Sequence, residues 1–92
     1  MFYKLTRING SPVGDEGSMS CLLNIKETGE TVFKEGVRPE VGWRICVGSR
    51  YARFLQKHDW WQTNVITQIL EESDNRVLFE TKSGSIYEWK II

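Results

Sequence analysis

The sequence predicts an all-β fold, a small antiparallel barrel, on three observations. Short runs alternate strictly between apolar and polar residues, the period of a half-buried strand. Clusters of Gly, Asn, Asp and Ser separate those runs. The length, 92 residues, supports one core, because a chain of this size buries only ~60–65% of its unfolded surface. Residues 1–92 are therefore expected to form a single domain. Closure of the sheet would remove edges that so short a chain cannot otherwise cover.

The elements follow in chain order. Residues 9–18, NGSPVGDEGS, hold three glycines and a proline with almost no apolar residue, and read as a long surface loop. SCLLNIK puts Cys21, Leu23 and Ile25 on one face of a strand, and ETGE at 27–30 turns the chain into TVFK. GVRPEVG at 36–42 is a second irregular connection. WRICV sets Trp43, Ile45 and Val47 against Arg44 and Cys46. Residues 49–58, SRYARFLQKH, fit a helical turn carrying Tyr51, Phe54 and Leu55, or a polar loop pinned by those three. Residues 60–70 also fit helical spacing, but their many β-branched side chains favour one long strand. Period two then places Trp61, Val65 and Ile69 on the core face and turns Trp60 outward with Gln62 and Asn64. RVLFE at 76–80 and IYEWKII at 86–92 alternate again, with turns at SDN and KSGS. SH3-like and OB-like barrels are the natural comparisons for short strands joined this way.

Composition narrows the function. Lys and Arg equal Asp and Glu at 12 each, so no net field draws the chain to duplex DNA. No apolar run reaches the ~18–20 residues of a membrane span. Cys21 and Cys46 lie in apolar stretches without CxxC spacing or a secretory signal, which fits two buried thiols in a cytoplasmic protein. The single histidine, His58, sits between Lys57 and Asp59 as a solvated loop residue would, and no P-loop, G-x-S-x-G or paired metal-ligand spacing occurs. A non-enzyme without cofactor or metal is the expectation.

The strongest remaining signal lies in residues 43–61, where arginines and aromatics cluster in a neutral chain. A guanidinium fork grips phosphate or carboxylate while an aromatic face stacks on a base. Arg44, Arg50 and Arg53, with Tyr51, Trp60 or Tyr87 for stacking, are the candidate residues for an anionic ligand. Core packing and edge protection account for the same residue types. At the KSGS turn, Thr81, Ser83, Ser85 and the backbone N–H of Gly84 could also receive an anion, although turn propensity explains them equally.

WWQTNVITQIL followed by VLFETKSGSIYEWKII resembles a pattern in small bacterial and phage β-rich proteins. The pattern is an aromatic pair, T-x-x-[VI]-T-x-I, an acidic turn, then F-x-T-x-x-S-x-Y, carried here by Trp60, Trp61, Thr63, Ile66, Thr67, Ile69, Phe79, Thr81, Ser85 and Tyr87. The resemblance covers about half the chain and implies a small β-rich fold in a phage or mobile-element setting; it carries no established active site. By analogy, such a phage accessory protein would sequester an anionic signal such as a nucleotide in counter-defence, or block a host protein through exposed Trp and Arg. Single-stranded nucleic acid on an OB-like face is a third expectation. Self-association is a fourth, because IYEWKII is expected to leave an apolar strand with an open edge.

Overall fold

The computed structural model describes residues 1–49 and 60–92, and for Trp60 the backbone alone. Nine strands appear among them: β1 (Tyr3–Arg7), β2 (Gly14–Gly17), β3 (Met19–Ile25), β4 (Thr31–Lys34), β5 (Arg44–Gly48), β6 (Trp60–Gln62), β7 (Ile66–Ser73), β8 (Arg76–Thr81) and β9 (Ile86–Ile91). They form a five-stranded sheet in the order β2-β1-β9-β8-β7 and a four-stranded sheet in the order β4-β3-β5-β6, every ladder antiparallel. The all-β expectation holds, and no helix occurs among the described residues. The ladders between these residues make two sheets and stop short of one closed ring.

The hairpins at ETGE, SDN and KSGS join β3 to β4, β7 to β8 and β8 to β9 as their turn chemistry requires. At the first, Gly29 takes φ +89°, a backbone state open to glycine at little cost. Three expectations are corrected. Residues 14–17 of the predicted loop are a strand, β2, which pairs with β1 from Tyr3↔Gly17 to Thr6↔Gly14. Residues 60–70 are extended but broken at 63–65, so that β6 belongs to one sheet and β7 to the other. The C-terminal strand β9 lies between β1 and β8, where both its edges are paired.

The core lies between the sheets. Tyr3, Leu5, Val77, Phe79, Tyr87 and Trp89 come from the first sheet, and Leu22, Ile45 and Val47 from the second, with Trp43, Trp61, Ile69 and Ile91 packed around them. Trp89, fully buried, donates its indole N–H to Ser20 Oγ across the sheets at 3.0 Å. Beside it, Gly17 of β2 meets Gly48 of β5 so closely that a Cβ on Gly17 would stand 2.0 Å from the Gly48 carbonyl oxygen. Arg38 covers the outer side of this region. Its guanidinium lies 5.5 Å from the Trp89 ring centroid and donates to the carbonyls of Ser73 and Asp74 and to the Glu72 carboxylate. The 36–42 connection is thereby held against the β7–β8 turn.

Candidate functional site: the outer face of the four-stranded sheet

Strand alternation gives each sheet an inner and an outer face, and the two outer faces differ in chemistry. On the first sheet the outer side chains are largely charged and matched: Arg76 pairs with Glu88 at 2.8 Å and with Glu71 at 3.6 Å, and Lys90 approaches Glu88 at 3.8 Å. Opposite charges on neighbouring strands are the ordinary way to finish a solvent-facing sheet.

The second sheet is finished otherwise. With Ser20 and Leu22 of β3 and Ile45 and Val47 of β5 turned inward, Met19, Cys21, Leu23, Ile25, Arg44 and Cys46 turn outward. Phe33 and Thr31 of β4 stand opposite Leu23 and Ile25, and Gln62 of β6 stands opposite Cys46. Together these residues, Arg44 aside, line a half-open groove of about 270 Å³. Leu23 and Cys46 are buried in its floor, while Phe33 and Ile25 remain 67% and 51% exposed. Arg44 stands directly opposite Leu23, half-buried, with no side-chain hydrogen bond or ion pair to another described residue.

Cys21 and Cys46 are cross-strand partners in this floor, and both are free thiols. The Cys46 S–H donates to Cys21, which lowers the Cys21 thiol to about 7 against the opposing pull of burial. The same bond pushes Cys46 well above the ordinary thiol range, helped by burial and by the negative charges of Cys21 and Asp15.

The sequence-predicted site residues are not brought together here. Arg44 lies at the groove. Arg50, Tyr51, Arg53 and His58 lie outside the described residues, as does the Trp60 side chain. Tyr87 is corrected from ligand to core: it is buried, stacks on Phe79 at 5.6 Å and accepts a hydrogen bond from Trp61 Nε1 at 3.2 Å. Thr81, Ser83 and Ser85 sit in the β8–β9 turn of the other sheet and bond to one another, with Thr81 and Ser83 hydroxyls 3.0 Å apart. The Gly84 N–H, expected to be available to an anion, donates to Thr81 O at 2.9 Å.

What the sequence reading missed is the apolar outer face itself. The signal was the pair Leu22–Leu23: adjacent apolar residues in a strand point to opposite faces, so both faces of β3 are apolar. Among the described residues no three His, Cys, Asp or Glu gather as a metal site, and no helix is long and apolar enough to cross a membrane. In comparisons with known proteins, no family model, curated protein or solved structure matches the chain.

Proposed function

We propose that this domain is a non-enzymatic binding module that holds a segment of another protein on the outer face of the β4-β3-β5-β6 sheet. One apolar side chain of the partner enters the groove, and an adjacent acidic group pairs with Arg44. The observation that supports this reading is the contrast between the two outer faces, one finished with ion pairs and the other left apolar around Phe33, Ile25 and Leu23. Exposed apolar patches rimmed by polar residues mark interaction surfaces, and a buried aromatic or arginine anchor dominates the energy of such contacts. In a phage setting, the bound segment would belong to a host protein that the module blocks.

Selection from a displayed random-peptide library tests the proposal. Enriched peptides should pair a large apolar residue with a nearby Asp or Glu. Their affinity should fall by roughly tenfold or more in Phe33→Ser and in Arg44→Ala, the scale of losing one anchor contact. Phe33→Ser should fold normally, since the ring is mostly exposed. Selected binders indifferent to both substitutions would overturn the assignment.

An anionic small ligand such as a nucleotide is the second reading, favoured by Arg44 and the open Phe33 ring in one cross-strand row on either side of Leu23. A nucleotide at 100 times its dissociation constant would raise stability by ~2.7 kcal/mol, which a thermal-shift panel detects. Steep salt dependence would point instead to single-stranded nucleic acid. The paired edges of β9 remove the reason first given for self-association; a second copy that used the apolar face instead would compete with peptide.

A further inference from the structure

The floor of the groove holds a chemistry that the binding proposal does not use. Cys21 and Cys46 occupy directly opposed positions on antiparallel strands, point to the same side, and line the same half-open groove. We infer that they form a redox-active dithiol site, in which Cys21 reacts with a low-molecular-weight disulfide and Cys46 resolves the product into a reversible cross-strand disulfide. This inference is independent of what the groove binds.

Accessibility orders the two residues. Cys21 is partly exposed, whereas Cys46 is 3% exposed, so an incoming disulfide reaches the Cys21 sulfur first. In the first step the Cys21 thiolate attacks one sulfur of the oxidant, a new S–S bond forms, and one thiolate leaves. In the second, Cys46 gives up its proton and attacks the Cys21 sulfur, expelling the second thiolate. Two protein thiols are oxidised and one small disulfide is reduced to two thiols.

The electrostatics of the pair favour the same order. The Cys46 S–H holds Cys21 as the more acidic thiol, and the thiolate is the nucleophile. Two of the causes that keep Cys46 protonated are its hydrogen bond to Cys21 and the Cys21 charge. Both disappear once Cys21 is capped, so the first step itself readies the resolving thiol.

Strand geometry makes the product labile. Directly opposed residues on antiparallel strands hold their Cβ atoms ~4.5–5.5 Å apart, whereas a disulfide prefers ~3.5–4.5 Å. A bond between residues so placed lies at the long edge of disulfide geometry, and strained disulfides are the readily reduced ones. The pair is therefore suited to cycle.

Exposure of the reduced 92-residue chain to oxidised glutathione, with timed acid quenching and mass spectrometry, tests the inference. A glutathione adduct on Cys21 should precede a Cys21–Cys46 disulfide two hydrogens lighter than the starting chain, and dithiothreitol should reverse it. Cys46→Ser should stop at the Cys21 adduct, and Cys21→Ser should react on the order of tenfold more slowly or less. Far-UV circular dichroism checks that both near-isosteric variants fold, and the wild-type time course decides the order if one does not. A wild-type chain that stops at the adduct, or that forms only intermolecular disulfides, would overturn the inference.

Discussion

Ser20 shows how much of this fold can rest on one small polar residue. Its hydroxyl accepts the Trp89 indole N–H at 3.0 Å and donates to the Val37 carbonyl at 2.6 Å, tying the second sheet to the first and to the 36–42 connection. Both the serine and the tryptophan are buried, so solvent does not directly replace the bond between them. Ser20→Ala removes a single oxygen, yet leaves a buried donor without its partner, a loss of ~1–3 kcal/mol. A urea titration should show the midpoint fall; an unchanged midpoint would mean that the indole finds another acceptor. The placing of Trp89 was legible, because Tyr87, Trp89 and Ile91 share a face in an alternating run. The role of Ser20 was not, since a serine at the start of a strand looks the same in sequence whether it meets water or an indole from a distant strand.

At the scale of an element, residues 60–70 teach where period two fails. Alternation predicts Val65 in the core and Ile66 outside, but Ile66 is fully buried and Val65 only half-buried. The phase changes at Thr63 and Asn64, whose side chains bond to nearby backbone: Thr63 Oγ1 donates to Asn64 O at 2.8 Å, and the Val65 N–H donates to Asn64 Oδ1 at 2.7 Å. Such local bonds compete with ladder pairing and bend the chain. Ile66 then bonds through both its N–H and its carbonyl to residues 43 and 42, which carries the strand from one sheet to the other. Ile66→Ala should therefore cost ~2–5 kcal/mol, as a buried isoleucine does. Val65→Ala should cost roughly 1 kcal/mol, nearer the average substitution. Thermal melts of the two variants separate these values, and the reverse order would restore the unbroken strand. The runs at 76–81 and 86–91 were readable because buried and less buried positions keep one alternating phase through most of each strand. Strand β2 was hidden for the opposite reason: Gly14-Asp15-Glu16-Gly17 has no apolar residue, and only pairing with β1 makes it a strand.

The whole molecule depends on how its sheets meet. Gly17 brings β2 against Gly48 of β5, and any side chain there would collide with a carbonyl oxygen. Gly17→Ala must push the strands apart, at ~1–3 kcal/mol or more by the measure of overpacked sites. Calorimetry should show a lower melting temperature; an unshifted one would show that β2 can move aside without loss. The fold class was legible from length, turns and alternation, all of them local. The division into two sheets and the candidate site were not, because both depend on register. Nothing in a separation of 25 positions tells that Cys21 will face Cys46, or that Leu23 and Phe33 will share an outer face with Arg44. The pairing of β1 with β9, which sets Tyr3 opposite Ile91 and lets Ile92 donate to Phe2, bears on assembly during translation. An emerging β1 has only β2 to pair with until β9 leaves the ribosome, so the five-stranded sheet cannot close before that strand emerges. Long-range pairings of this kind fold slowly and expose unpaired strand edges meanwhile. For this chain, the interval before β9 becomes available to β1 is therefore when a chaperone would matter most.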